Sequence, residues 1–330
     1  MKILILDTYY PQFLETFKVF PQIIINPGAS YETELARLML TQFGTSDFYS
    51  RNLKAIGWDA DDFIVNCEAL MALRPQEPIK ADVLFLQDLS INISSWPSEL
   101  VAGQCSCPWP GDDNIRKCSV VFTSFPHYVA RIDAVGSRAV YNPLAFEPSV
   151  LSESQPRLHD CVFVGGVGAP SHWRYGMEVL KQVAERVPSF KWWGYGLEHV
   201  GSAAMRWSYR GEAWGRKMYE IYQRSTIVLN RHGEVAEGYA NNMRMFEATG
   251  CGALLVTEYA PNIRDFFAED ECVTYKNPNE AVEKIRYYID HDEERAAIAA
   301  KGQARTLRDH TYAKRMKTVS DVLQEMLCPA

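Results

Sequence analysis

The segment Ser225–Glu258 constrains this chain most. It reads STIVLN, RHGEVAEGYA, NNMRMFEATGCG and ALLVTE in turn. A mostly apolar run, a charged loop with glycines, a helical stretch opened by Asn, a glycine stop and a second apolar run spell strand, loop, helix, strand. Short apolar strands joined through a helix belong to a parallel sheet covered on both faces. A helix N-terminus just beyond such a strand is a ready anion site, because its first amides lack helical partners and the helix dipole is positive there. Asn242 is placed to cap those amides. Arg244 and Glu247 stand three residues apart and share a face. A cation there can meet a diphosphate while the carboxylate takes two ribose hydroxyls; the plain alternative is a surface Arg–Glu pair. Gly250 and Gly252 end the helix and let the backbone pass close to another group, which a simple C-cap also requires.

The same alternation runs through the rest of the chain. In the first half, strand-like runs occupy Lys2–Leu6, Asp62–Asn66, Val83–Leu86, Ser119–Thr123 and Ala139–Tyr141. Helix-like segments cover Ser30–Phe43 and Ser46–Ile56. Residues 144–159 break the rhythm with Pro and Ser and read as a linker. Strands then recur at Asp160–Val164, Phe190–Trp193, Thr226–Asn230, Ala253–Val256 and Glu271–Tyr275, with helices at Trp173–Arg186, Arg216–Arg224, Asn242–Thr249 and Pro278–Ile289. The tail from Asp292 to Leu327 is helical, with expected breaks near Gly302 and at Asp309–Thr311. A chain of 330 residues carries two domains at about 150 residues each. The fold class is α/β, with two doubly wound, Rossmann-like domains and a cleft between them. Ligands of such sheets bind beyond the carboxyl ends of the strands.

Composition narrows the partners. Lys and Arg number 34 against 41 Asp and Glu, a net charge of −7, which argues against general nucleic-acid binding. A local cationic pocket for a small phosphate ligand remains compatible. The eight cysteines show no CxxC pair and no zinc-like spacing, so reduced thiols in a cytoplasmic protein are expected. MKILILDTYY reads as a first strand rather than a signal peptide, and no apolar run approaches the roughly 18 residues of a membrane span.

Four further constellations carry chemistry. FVGGVGAPSHWRYGM ends a strand in Gly165 and Gly166 and delivers Arg174 into a helix, an arrangement that cradles phosphate through backbone amides or is simply a tight turn. The run KWWGYG, with Gly194, Tyr195 and Gly196, and then YRGEAWG with Gly211, offers rings and glycines to a base, or interior packing. RHGEVAEG follows a buried strand and sets His232, Glu234 and Glu237 at a strand end, where an imidazole or carboxylate could act on a transferred group; a solvated acidic loop is the other reading. Asp88 after VLFLQ and His127 after SVVFTSFP stand at strand ends of the first half, as bases for an acceptor hydroxyl or as a cap and a packed ring.

Taken together, the RH loop, NNMRMFEATGCGALLVTE and the tail with RTLRDHTY resemble the CgeB-like (spore-maturation-protein type) glycosyltransferases, within the broad glycosyl transferases group 1 set. MKILILDTYYPQF, YETELARLMLTQFGTSDFYSRNLKAIGWDADDFIVNCEAL and SFPHYVARIDAVG are similar to that family too, so the likeness covers nearly the whole chain. The resemblance implies a GT-B fold: residues 1–150 as the acceptor domain, 151–310 as the nucleotide-sugar domain, and 311–330 as a helix returning to the first. It implies transfer from a UDP-, GDP- or dTDP-sugar to a glycan, lipid or small-molecule hydroxyl, in polysaccharide biosynthesis or related pathways. No cofactor and no metal are required. No nucleic-acid partner is implied, and the protein acts as a monomer or homodimer.

Glu247 would hold the ribose. Arg244, Arg174 and the amides near Asn242 and Gly166 would hold the diphosphate. Gly194, Tyr195, Gly196 and Gly211 would frame the base, with Gly165, Tyr239 and Asn241 completing the donor set. Retaining members carry a Glu eight residues before the ribose Glu. Here that position is Tyr239, and Glu237-Gly238-Tyr239 reads as the same start with two extra residues, which gives Glu237 that role. Retention and inversion both stay open, and His232, Asp88 and His127 stand beside Glu237 as catalytic candidates. Two other readings are a nucleotide-sugar epimerase or hydrolase of the same fold, and a catalytically silent nucleotide-sugar binder.

Overall fold

The computed structural model describes residues 1–19, 28–74, 79–153, 155–167 and 174–328. The chain divides into two compact units, Met1–Pro143 with Tyr312–Ala330, and Leu144–Thr311. Each unit is built around its own parallel sheet.

The first sheet contains β1 (Lys2–Asp7), β2 (Asp59–Ile64), β3 (Ala81–Leu86), β4 (Ser98–Cys105), β5 (Val120–Thr123) and β6 (Arg138–Tyr141), in the order β2-β1-β3-β4-β5-β6. Its apolar centre reflects the sequence directly: Ile3, Leu4, Ile5 and Leu6 of β1, and Val83 to Leu86 of β3, are all buried. One strand departs from expectation. β4 reads SELVAGQC, with only scattered apolar residues, so periodicity does not reveal it. It is nonetheless interior, paired with β3 and β5. The sequence reading also sets β2 too late, at Asp62–Asn66 rather than Asp59–Ile64, because the strand opens on acidic residues.

The helix Tyr312–Leu327 belongs to this first unit. Tyr312, Met316, Val319 and Leu323 are buried and recur at helical spacing, so one apolar stripe faces the core. The Tyr312 ring lies against Phe48 and Tyr49, and Trp58 Nε1 donates to Ser320 Oγ at 2.8 Å.

The second sheet contains β7 (His159–Val164), β8 (Phe190–Trp193), β9 (Ser225–Asn230), β10 (Leu254–Glu258) and β11 (Val273–Tyr275), in the order β11-β10-β9-β7-β8. The chain runs from β7 to β8 on one side and then returns to β9 on the other. The order therefore reverses between β7 and β9, and the carboxyl ends of those two strands flank the crevice where doubly wound sheets take ligands. In the first sheet the corresponding reversal falls between β1 and β3. Residues 144–159, read as a linker, are packed into the second unit. Phe146 is fully buried, and the Arg157 guanidinium donates to the carbonyls of Gln223, Ser225 and Gly252.

A second departure concerns Gly302. The helix Asp292–Asp309 runs through it without a break. The glycine is there for contact: a Cβ at this position would stand 2.4 Å from the Glu271 carbonyl oxygen. Helix propensity alone has Gly302→Ala stabilising by about 1 kcal/mol. The contact reverses the sign, and a loss of roughly 2 kcal/mol is expected from overpacking. Chemical denaturation of the purified variant measures it; a gain in stability contradicts the packing argument.

Candidate functional site

The β7/β9 reversal point gathers most of the donor-site candidates. Asn230, the last residue of β9, is fully buried and acts as a hub. Its Nδ2 donates to Thr257 Oγ1 at 2.9 Å, tying β9 to β10. Its Oδ1 accepts from Asn242 Nδ2 at 2.9 Å and from Arg244 Nη1 at 3.1 Å. Asn242 is the N-cap of the helix Met243–Gly250, accepting from the Met245 amide, and its Nδ2 also donates to the Arg231 carbonyl at 2.8 Å. The helix start is thereby locked to the strand end.

Two guanidiniums close on the end of β7. Arg244 Nε donates to the Val164 carbonyl at 2.8 Å, and its head lies 4.6 Å from the Phe163 ring centre. Arg231, the residue after β9, is buried; its Nη2 donates to the Gly166 carbonyl at 3.1 Å, and its head lies 5.6 Å from the same ring. Burial and the neighbouring Arg244 charge lower the Arg231 pKa to about 10. It remains a cation at neutral pH, held beside a like charge. Such a pair is stabilised by an anion placed between or before the two heads.

Glycines make room for this clamp. A Cβ on Gly165 would sit 2.3 Å from Arg244 Nη2, and one on Gly176 would sit 2.4 Å from Arg231. A Cβ on Gly166 would strike the Tyr195 ring at 2.4 Å, and one on Gly194 would meet the Gly165 carbonyl oxygen at 2.0 Å. The β7 and β8 ends are thus in main-chain contact, with Val167 N donating to the Tyr195 carbonyl at 2.9 Å. Gly194 N in turn donates to the Gly211 carbonyl at 3.0 Å. Tyr195 stacks on Trp214, with ring centres 5.5 Å apart and planes 13° from parallel, and is partly exposed. This is a flat aromatic surface at the edge of the same glycine cluster.

Glu247 is buried, and Tyr219 OH donates to its Oε1 at 3.4 Å. Loss of water raises its pKa to about 7, against the opposing effects of Arg244 and Tyr219. His232 lies at the β9 and β10 ends. Its backbone amide donates to Glu258 Oε2 at 3.2 Å, and its Nε2 donates to the Glu258 carbonyl at 3.1 Å. Burial lowers its pKa to about 4, so the ring is neutral at neutral pH.

Four further candidates belong to the same unit: Glu237, Asn241, Gly196 and Arg174. Glu237 is exposed, in a left-handed conformation (φ 48°) after the turn Glu234–Ala236, and Tyr239 N donates back to the Ala236 carbonyl. Asn241 precedes the cap. Gly196 opens the turn Leu197–His199. Arg174 starts the helix Arg174–Arg186, but its side chain lies outside the described residues. In the first unit, Asp88 follows β3 at the reversal point. Its carboxylate accepts from Thr8 Oγ1 at 2.7 Å and from the Ser90 amide and hydroxyl. Burial opposes its ionisation, but these hydrogen bonds outweigh it and keep its pKa below the ordinary value. His127, in the turn Pro126–Tyr128 after β5, packs against Phe125 and Tyr128. Sequence reasoning assigned no role to Arg231, Asn230 or Glu258, while Trp214 lies in the run YRGEAWG, whose rings it offered to a base. The usable signal was position: Asn230, Arg231 and Glu258 all sit at ends of strands flanking or next to the reversal.

Residues 176–321 match the family described as Glycosyl transferase-like. No curated protein matches the chain. Among solved structures, HepE of Anabaena in complex with UDP-glucose is 12% identical, with a TM-score of 0.61, covering 98% of this chain and 100% of that one. AviGT4, a glycosyltransferase involved in avilamycin A biosynthesis, is 12% identical with a TM-score of 0.63 over 100% and 99% of the two chains. Sucrose-phosphate synthase of Thermosynechococcus elongatus is 10% identical with a TM-score of 0.61 over 100% of both. These likenesses establish the GT-B fold. The fold and the domain match together make the chain a glycosyltransferase of GT-B type. Among the described residues, no helix is long and apolar enough to cross a membrane.

The raised pKa of Glu247 has a direct consequence for stability. In the unfolded chain a Glu titrates near about 4.3. Between that value and about 7 the folded protein keeps a proton that the unfolded chain has lost. Stability therefore falls as pH rises through this window, by at most roughly 4 kcal/mol. Glu247→Gln removes that loss. The gain in melting temperature of the variant over the wild type is expected to grow from pH 5 to pH 8; a pH-independent difference in melting temperature contradicts the assignment.

Proposed function

We propose that the protein transfers a sugar from a nucleoside diphosphate donor, UDP-linked in the first instance, to an acceptor hydroxyl, and that the second unit holds the donor at the β7/β9 reversal. The observation that carries this reading is the pair of guanidiniums, Arg231 and Arg244, set side by side at a strand end next to a helix N-terminus. In this reading they take the diphosphate charge, which leaves no metal necessary for that purpose. Tyr195 and Trp214 give the base a stacking surface, and Glu247 takes the ribose hydroxyls. HepE, similar in fold, has been solved with UDP-glucose, which supports uridine as the first base to try.

The acceptor is assigned to the first unit, whose strand ends present Asp88 and His127. The acceptor is a hydroxyl of a glycan, lipid or small molecule, and retention and inversion are both compatible with the site. Placement in the CgeB-like subgroup rests on the NNMRMFEATGCG segment, and a cytoplasmic location is supported by the buried thiols of Cys105, Cys118, Cys161, Cys251 and Cys272.

Titration with UDP tests the reading. UDP should bind the wild type and raise its melting temperature, since a ligand that binds only the folded state stabilises it. Arg231→Met and Arg244→Met should each weaken UDP binding by roughly 10- to 100-fold, the usual range for a lost charge-assisted hydrogen bond. Failure of UDP, GDP, dTDP and ADP alike to bind the wild type, or unchanged affinity in both variants, would refute it.

A further inference from the structure

His232 offers a hydrogen-bond acceptor that no described residue uses. A carbonyl oxygen can only accept, so the Nε2 contact to the Glu258 carbonyl at 3.1 Å requires the proton on Nε2. The neutral ring then carries a bare lone pair on Nδ1. Nδ1 is inaccessible to solvent and has no hydrogen-bond partner among the described residues. A buried acceptor left without a donor costs roughly 1–3 kcal/mol, and such groups mark sites completed by something else.

The surroundings say what completes it. Among the described residues, the charged groups near the ring are Arg231, one residue before it, Arg244, and Glu258, whose carboxylate takes the His232 backbone amide. Neither cation makes a hydrogen bond to Nδ1, and Glu258 has none to give. A diphosphate carries no hydrogen for Nδ1 at neutral pH. The hexose bonded to that diphosphate does carry hydroxyls, and His232 directly follows Arg231, which holds the diphosphate in the function proposed above.

We infer that His232 is a sugar-binding residue, whose Nδ1 accepts a hydrogen bond from a hydroxyl of the transferred hexose while Nε2–H, fixed by the Glu258 carbonyl, sets the ring plane. This rests on the donor-site reading above. It moves His232 away from general-base chemistry: burial keeps the ring neutral and weakly basic, suited to accepting a hydrogen bond and poorly suited to removing a proton. The role is one of choosing and orienting the sugar. Asn should replace His232 well, because its side-chain oxygen can stand near Nδ1, whereas Ala leaves the hydroxyl without an acceptor.

Nitrogen NMR of the ¹⁵N-histidine-labelled protein, with UDP and UDP-glucose as probes, reads this directly. Free protein at pH 7 should show His232 with a protonated Nε2 and a bare Nδ1. Saturating UDP-glucose should shift the Nδ1 resonance toward the hydrogen-bonded range, and saturating UDP should leave it in place. In parallel, His232→Ala should weaken UDP-glucose binding by roughly 10-fold or more, with UDP affinity held within about twofold, while His232→Asn should recover most of the loss. A proton on Nδ1, no Nδ1 shift with bound UDP-glucose, or equal losses for UDP and UDP-glucose would overturn the inference while leaving the donor site intact. Absence of any UDP binding to the wild type would instead bring down the donor-site reading and this inference with it.

Discussion

The second unit depends on the grip of two arginines on the last residues of one strand. Arg231 and Arg244 bind the carbonyls of Gly166 and Val164 and share the face of Phe163. Bringing two like charges into a poorly hydrated corner is unfavourable by itself. The main-chain carbonyls and the ring face offset part of that cost. The arrangement also dictates its surroundings. Gly165, Gly166 and Gly176 have no space for a side chain, and Asn230 must orient the Arg244 head and the Asn242 cap together. The contacts that hold β7, β9 and a helix in register also set these two cations side by side.

Much of this was legible in the sequence, and the reasons differ by residue. Asn242, Arg244 and Glu247 were found because capping and helical spacing are local rules that the helix Met243–Gly250 obeys. Gly165, Gly166 and Gly194 were singled out as a phosphate cradle and a base frame; in the structure Gly194 meets the Gly165 backbone, while Gly165 and Gly166 meet the side chains of Arg244 and Tyr195. Arg231 was not found, since its importance arises from the strand order, which no local pattern encodes. β4 escaped for a related reason: Gly103 and Gln104 serve a crowded interior position, where a Cβ on Gly103 would meet Leu89 at 2.3 Å, and apolar periodicity is blind to that. At Gly302 a rule that holds on exposed helices failed because the glycine faces another backbone. Asp88 shows the reverse case. Its position at a strand end was legible, while the three hydrogen bonds it accepts, two from Ser90 in its own loop and one from Thr8 after β1, were not.

The site also divides its work by protonation. Arg231 stays charged, His232 stays neutral, and Glu247 sits near the midpoint at neutral pH, each because of how much water its burial removes and which neighbours oppose that. In the proposed function, cations for the diphosphate, a neutral acceptor for a sugar hydroxyl, a carboxyl group for the ribose and a flat aromatic pair for the base form one consistent set. Arg231 and His232 come from the end of β9, Arg244 and Glu247 from the helix that follows it, and Tyr195 from the end of β8.

A crystal structure of the protein soaked with UDP-glucose tests the central claim most directly. The account predicts the diphosphate against Arg231 and Arg244 at the end of β7, with the uracil ring stacked at Tyr195. Nucleotide density located away from the β7 and β9 ends, with both arginines untouched, would contradict it.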